Sequence, residues 1–190
     1  MLEQLLETLS EEAGNERKQA VTDALTEASV EHNCHAFELI LEYVASSTYT
    51  LGFASVCGSE RSVLRCLEQG VDVNEVGPSN ELPLHHAANN MHSHVVQLLI
   101  EQGADVNNLE CTVEHSGQNN NTALMAALIG FLVMLSGDHI SHRIRDRLAI
   151  FDLERIVQCL LDSGADPELG RDCYHRKALD IACSRRPEHC

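Results

Sequence analysis

The most constraining feature of this 190-residue chain is a short segment, led by glycine, that recurs at a fixed spacing. Gly70-Val71-Asp72-Val73-Asn74 is followed 33 residues later by Gly103-Ala104-Asp105-Val106-Asn107, and Gly164-Ala165-Asp166-Pro167 is a third copy. Repetition at periods of roughly 20 to 50 residues is typical of stacked supersecondary units, which bury a continuous core between neighbours. The sequence therefore predicts one elongated domain whose core runs through the stack.

Each unit is predicted to contain two helices and a turn, as residues 81–107 illustrate. Pro83 stands where a first helix begins, and its missing N–H is harmless at that position. Between His94 and Gln102 the apolar residues recur at spacings of three and four, which predicts an amphipathic second helix. Gly103 can then adopt the left-handed conformation that ends a helix. In the preceding unit the same pattern predicts a set of core residues: Leu51, Ala54, Val63, Leu64 and Leu67.

This unit resembles the ankyrin repeat, whose T-P-L-H-x-A and G-A-D-V-N segments are almost intact at residues 82–87 and 103–107. The resemblance covers roughly residues 48 to 185 and implies an all-α repeat solenoid with short β-hairpin finger loops. It also implies that His85 has a structural role, in which its imidazole ties neighbouring segments of backbone together.

The resemblance also sets the predicted domain boundaries. Residues 1–47 carry helical apolar patterns without the glycine turn, and we predict N-terminal capping helices or a degenerate first repeat there. Terminal repeats are often atypical because one flank faces water, but an unrelated helical domain remains the alternative for this segment. The remaining residues, 48–190, are predicted to form one continuous domain of repeats at 48–80, 81–121, 122–176 and, in part, 177–190.

The third repeat departs from the period by a 21-residue insertion. Thr122 lies 42 residues before Gly164, whereas Leu82 lies only 21 residues before Gly103. Apolar residues continue at helical spacing on both sides of a break at residues 136–138, so we predict that both helices are lengthened. The insertion, residues 130–151, should then project as an extended helical hairpin. The lengthened second helix, which forms its second arm, carries the apolar stripe Ile140, Ile144, Leu148, Phe151 and Ile156.

Charge and cysteine content limit the class of partner. The chain has 13 basic and 29 acidic residues and a formal net charge of -16, which repels nucleic-acid phosphates and favours a partner with a basic surface. Residues 1–20 carry no recognisable secretion signal, and the apolar run at residues 125–135 is too short to span a bilayer. The eight cysteines are scattered, which suits a reducing compartment. We therefore predict a cytoplasmic protein that binds neither nucleic acid nor membrane.

Catalytic chemistry has little support in the sequence. No nucleophile elbow, phosphate-binding loop, zinc-protease motif or dinucleotide fingerprint occurs. Zinc ligands usually come in wider pairs than Cys173-x-His175. We therefore predict no catalytic residue, no metal and no cofactor, and a small metal-binding or enzymatic domain is the weakest alternative. The thiol and imidazole cluster that we weighed as a metal site comprises Cys173, His175, Cys183, His189 and Cys190.

The resemblance favours a non-enzymatic module that binds a protein partner through finger loops and exposed helix residues. Its alternative is a bacterial immunity or inhibitor protein that neutralises a basic toxin or effector, because acidic surfaces steer onto cationic sites. A second copy of the chain is a further candidate partner, through residues 130–151. The predicted contact residues lie on the fingers, the first helices and the insertion: Val56, Pro78, Ser79, Glu81, Asn89, Asn90, Gln118, Asn119, Asn121, Ile129, Phe131, Met134, Arg143, Arg147, Cys173, Tyr174 and Arg176.

Overall fold

Helices alternate with turns throughout the part of the chain that the computed structural model describes, which is residues 48–76, 82–114, 117–136, 142–172 and 174–183. Side chains at residues 48, 49, 110–119, 136 and 142–148 lie outside that description. The elements, in chain order, are α1 (Thr48–Cys57), α2 (Glu60–Glu68), α3 (Pro83–Asn89), α4 (Ser93–Glu101), β1 (Glu110–Glu114), β2 (Gly117–Asn121), α5 (Ala123–Ser136), α6 (His142–Asp162) and α7 (Ala178–Cys183).

The helices form two layers. The first helices of the units, α1, α3, α5 and α7, contact one another in sequence order, and the second helices, α2, α4 and α6, form a parallel row. Each second helix also packs on the first helix of its own unit. The core lies between the layers as one continuous cluster, in which the fully buried side chains include Leu51, Val63, Leu99, Ile156 and Leu160. The predicted all-α repeat architecture is therefore confirmed.

Local signals explain where the helices begin. Ser59 caps α2, because its side chain accepts a hydrogen bond from the Ser62 N–H. Pro83 opens α3, and its fixed φ angle suits the first helical position. The Thr122 hydroxyl oxygen accepts from the Met125 N–H at 3.3 Å and so caps α5.

The turn glycines that mark the period have left-handed backbone. Gly70, Gly103 and Gly164 have φ angles of 87°, 92° and 87°, a region that L side chains adopt only at a cost. The aspartate two positions after each glycine accepts a hydrogen bond from a backbone N–H two residues further on, at 2.8–2.9 Å. The recurring segment is therefore a self-bonded turn.

The asparagine that closes this segment clamps consecutive repeats together. The Asn74 side-chain amide donates to the Gly103 carbonyl oxygen at 3.0 Å, and its oxygen accepts from the Asp105 N–H at 2.8 Å. Asn107 makes the same two bonds to Gly164 and Asp166, at 3.0 and 2.8 Å. The strict spacing of the motif thus reflects hydrogen bonding between neighbours as well as local turn geometry.

One residue that was predicted to lie in the core, Leu64, lies at the surface. Leu64 is 40% exposed, whereas Leu51, Ala54 and Val63 are fully buried and Leu67 is half-buried. Leu64 lies six positions before its turn glycine, and the residues at that position in the other two second helices are exposed glutamines, Gln97 and Gln158. This position faces outward in all three second helices that the structure describes, so the apolar residue there does not join the core.

The inserted residues lengthen both helices of the third repeat, as predicted. Helix α5 has 14 residues where α3 has seven, and α6 has 21 where α4 has nine. The hairpin connection at residues 137–141 lies outside the described residues, as do residues 1–47 with the predicted capping helices or degenerate repeat. The domain boundaries assigned from the sequence remain predictions.

The apolar stripe predicted for the second arm is wrong at one position. Ile156 is fully buried, but Phe151 is 62% exposed. Five residues rotate an α-helix by about 140° beyond one full turn, so Phe151 faces away from the core side of α6. Ala149, seven residues before Ile156 and almost in line with it, is 7% exposed and occupies the inward position.

Candidate functional site

The second finger, which connects α4 to α5, is an antiparallel hairpin. Strands β1 and β2 pair from Glu110 opposite Asn121 to Glu114 opposite Gly117. Asn120 and Arg171 exchange two backbone hydrogen bonds, at 3.0 and 2.9 Å, so this finger is joined to the next one. The predicted contact residues Gln118 and Asn119 lie on β2, where only their backbone is described, and Asn121 is half-buried at its end.

The third finger, which connects α6 to α7, contains the buried carboxylate of Asp172. Asp172 is 4% exposed and accepts hydrogen bonds from the Tyr174 N–H at 3.0 Å and the Arg176 N–H at 2.8 Å. Its second oxygen accepts from Nε of Arg176 at 2.7 Å, and the guanidinium lies 5.1 Å from the centre of the Tyr174 ring. Arg176, a predicted contact residue, is therefore held by the finger itself, and Tyr174 presents the larger exposed surface at 52%.

The first helices supply a second group of predicted contact residues. Asn89 is exposed at the end of α3, whereas Asn90 is half-buried and its amide donates to the His86 carbonyl oxygen at 2.9 Å. Val56 and Ile129 are both half-buried. Asn89 is thus the member of this group with the most freedom to meet a partner. Three contact residues predicted on the first finger, Pro78, Ser79 and Glu81, lie outside the described residues, as does Cys173 on the third.

The end of α5 exposes several large apolar side chains. This helix contains no charged residue. Val133, Met134 and Leu135 are 59%, 45% and 48% exposed, while the predicted contact residue Phe131 is half-buried against the core. The predicted contact residues Arg143 and Arg147 lie on α6 at positions whose side chains are outside the description. The predicted contact residues included Met134 but not Val133 or Leu135, although the lack of charged residues along α5 could have revealed that apolar residues would be exposed.

His85 joins two repeats from a buried position. Its Nε2 lies 2.9 Å from the carbonyl oxygen of Asn121, 36 residues away, and only 2% of the residue is exposed. Desolvation by burial lowers the pKa of His85 from 6.5 to about 4, and the hydrogen bond to the Asn121 backbone opposes this shift only in part. The imidazole is therefore neutral at physiological pH, which suits the structural role implied by the family resemblance rather than proton transfer.

The described residues offer little chemistry beyond binding. No three histidine, cysteine or acidic side chains come close enough together there to hold a metal ion. Burial raises the pKa of the Cys159 thiol, and the carboxylates of Asp162 and Glu101 raise it further, so the reactive thiolate is disfavoured. Of the cluster weighed as a metal site, His175 and Cys183 are exposed and the other three residues lie outside the description. None of the described helices combines the length and apolar character needed to cross a membrane.

Comparison with known proteins identifies the repeated unit. Residues 51–133 match a family model that describes ankyrin repeats as a set of three copies. Over 170 residues the chain is 31% identical to the B-cell lymphoma 3 protein homolog of Mus musculus, an alignment that covers 88% of this chain and 30% of the relative. The chain therefore spans less than a third of the length of that relative.

Proposed function

Because this chain is an ankyrin-repeat protein, and ankyrin repeats mediate protein–protein interactions, we propose that it is a non-enzymatic module that binds one protein partner. The partner is held against the finger loops, the exposed ends of the first helices and the projecting α5–α6 hairpin. Rigid stacking lowers the entropy lost on binding, while the variable surface residues supply specificity.

The exposed end of α5 is the observation that carries this proposal. The first two repeats complete their first helices in ten and seven residues, as α1 and α3 do, and need no further apolar turns. Helix α5 continues to Ser136, and three consecutive large apolar side chains near its end are roughly half exposed. Contiguous apolar surface of this kind is uncommon on monomers unless it marks a contact site, because each Å² left in water forgoes about 25 cal/mol.

Charge supports a partner with a basic surface. The chain has a formal net charge of -16, and complementary charge accelerates association more than it raises final affinity. The association rate should therefore fall as salt is added, while contacts at the apolar end of α5 persist. Cys66 is a buried thiol outside any disulfide, which suits the reducing conditions of the cytoplasm, where we place the protein.

A charge placed in the apolar surface tests the proposal. The double variant Met134→Asp/Leu135→Asp should lose, by at least tenfold in yield, the proteins that the purified wild-type chain retains from cell extract. The control is Leu64→Asp, which introduces a single carboxylate at a leucine that is 40% exposed on α2. The control should retain the same proteins as the wild type.

Sedimentation equilibrium of the purified proteins separates the two kinds of partner. A wild-type dimer that becomes monomeric in Met134→Asp/Leu135→Asp would identify a second copy of the chain as the occupant of this surface. Equal retention of the same proteins by the wild type, the double variant and the control would show that the hairpin does not bind them, and the proposed role of α5 would be wrong.

A further inference from the structure

The three finger loops differ in charge. Residues 75–81, the predicted first finger, and residues 108–121, which include the second, each contain two glutamates and neither lysine nor arginine. The third finger, residues 168–177, contains three of the 13 basic residues of a chain whose formal net charge is -16. Within this row of loops, cations are therefore concentrated on the third finger.

Two of these cations are held by carboxylates of the same finger. The guanidinium of Arg176 pairs with Asp172, and the ammonium group of Lys177 pairs with Glu168. The side chains of Arg176 and Lys177 are each 30% exposed. Their charges are neutralised locally, so these two pairs stabilise the loop more than they attract a ligand.

The third cation, Arg171, is exposed. Its backbone is anchored, because its N–H and its carbonyl oxygen both pair with Asn120, at 2.9 and 3.0 Å. In the part of the chain that the structure describes, its guanidinium makes no ion pair or hydrogen bond. The strand beside it, β2, contains no charged residue and so supplies no carboxylate. Arg171 therefore presents an unpaired positive charge from a fixed point of the backbone.

The turn that follows Arg171 is closed by its own hydrogen bonds. The Asp172 N–H donates to the Arg176 carbonyl oxygen at 3.1 Å, and the His175 N–H donates to the Asp172 carbonyl oxygen at 2.9 Å. His175 has a left-handed φ of 59°, which a residue other than glycine keeps only where the surrounding structure imposes it. The turn is therefore ordered before any ligand binds, which lowers the entropy lost on binding.

Tyr174 gives the same turn an aromatic surface. Its side chain is 52% exposed, and the cation–π contact with Arg176 helps to hold the ring in place. Tyrosine and arginine are enriched among the residues that contribute most to binding at protein interfaces. The ring lies only three residues along the chain from Arg171, so one short peptide segment can reach both side chains.

We infer that the third finger binds an acidic segment of a partner protein, whose carboxylate pairs with Arg171 while its chain covers the ring of Tyr174. A guanidinium presents its donors in a planar fork that matches the two oxygens of a carboxylate. The inference rests on the proposed function in taking the ligand to be a protein. It adds that this partner, which is basic elsewhere, carries acidic residues opposite the third finger.

This contact is separate from the one proposed for α5. The third finger is joined to the second at Asn120, three residues before α5 begins, whereas the exposed apolar residues of that helix lie about 15 Å beyond its first residue. Substitutions at one surface should therefore leave the other intact.

Nuclear magnetic resonance titration of the full chain provides the test. The probe is a short peptide of glutamate, serine, glycine and tyrosine, and the control peptide has lysine in place of each glutamate. At about 0.15 M salt the Debye length is about 8 Å, so repulsion between the acidic peptide and distant carboxylates is screened. The acidic peptide should shift the amide signals of residues 171–177 in a saturable manner, and the lysine peptide should leave these signals unchanged.

A charge reversal then separates an ion pair from a structural effect. Arg171→Glu should weaken binding of the acidic peptide at least fivefold and should allow the lysine peptide to shift the signals of residues 172–177. The matched control is Arg61→Glu, which makes the same change in net charge at an exposed arginine on α2 and should alter both affinities less than twofold. Equal weakening by Arg61→Glu, or an unchanged affinity in Arg171→Glu, would overturn the inference.

Failure of the proposed function gives a different result. The variant Met134→Asp/Leu135→Asp should bind the acidic peptide within twofold of the wild type, whether or not it still retains proteins from cell extract. If the acidic peptide does not shift residues 171–177 while that variant loses its partners, the inference is wrong and the proposed function stands. If the peptide binds there while α5 proves to have no role, the third finger is a binding surface without the hairpin.

Discussion

The buried residue His85 contributes to the dependence of this protein's stability on pH. Burial holds the pKa of His85 at about 4, whereas the unfolded chain binds the same proton near pH 6.5. Between these two values the folded chain binds fewer protons than the unfolded chain, so the free energy of unfolding falls as pH is lowered. At 1.36 kcal/mol per pKa unit, the contribution lost by pH 4 is about 3 kcal/mol.

We predict that urea unfolding of the wild type loses this stability as pH is lowered from 7 to 4, whereas His85→Gln loses about 3 kcal/mol less over the same range. Glutamine can still donate to the Asn121 carbonyl oxygen but does not titrate. The comparison removes the effect of the acidic surface, which changes equally in both proteins. Parallel curves of unfolding free energy against pH would contradict the burial of a neutral imidazole at this position.

At the scale of helices, the contact between α3 and α5 depends on the absence of a side chain. A Cβ at Gly130 would lie 1.9 Å from the carbonyl oxygen of Asn89, which is backbone and cannot rotate away. Alanine normally stabilises a helix by about 1 kcal/mol relative to glycine. Here that gain should be outweighed, because the two helices must separate to admit the methyl group.

We predict that Gly130→Ala lowers the free energy of unfolding by about 1 to 3 kcal/mol. The matched control is Gly52→Ala in α1, where a Cβ would be 3.8 Å from the side chain of His86, an ordinary contact. The control should be neutral or stabilising by up to about 1 kcal/mol. Chemical denaturation of both variants measures the difference, and a stabilised Gly130→Ala protein would mean that α3 and α5 do not approach so closely.

At the scale of the whole molecule, the stack and the projecting hairpin should be separable. Phe131 and Leu132 pack against the core and Ala149 is 7% exposed, so the stack ends near these residues. The large apolar side chains beyond them on α5 are roughly half exposed and contribute little to the burial that stabilises folding.

We therefore predict that replacing residues 133–148 by a short Gly-Ser linker leaves one cooperative thermal transition. A loss of less than about 1 kcal/mol would shift the midpoint by no more than about 4 °C in a chain of this size. Differential scanning calorimetry provides the midpoint and the cooperativity. Should the shortened chain fail to fold, the inserted residues would have to be assigned to the core rather than to a binding surface.

Much of the fold could be predicted because its determinants are local. The left-handed turn at Gly103, the start of α3 at Pro83 and the lengthened helices of the third repeat depend on backbone conformation and periodicity within a few turns of chain. The fixed spacing then implies the stack, because identical units can bury their apolar faces only against one another. The candidate contact residues remain predictions, since specificity resides in side chains that the repeat pattern leaves free to vary.

The sequence by itself therefore determined the repeated two-helix unit, its period and the all-α repeat architecture. Only the tertiary structure decided which apolar residues are exposed: Leu64 and Phe151 belong to helical patterns, yet they are 40% and 62% exposed. Only the tertiary structure showed that Asn74 and Asn107 form hydrogen bonds to the next repeat. It also showed that the backbone of α3 lies against Gly130, where there is no room for a side chain. These outcomes depend on atoms roughly 30 to 60 residues apart in the chain, and periodicity within one helix carries no information about such contacts.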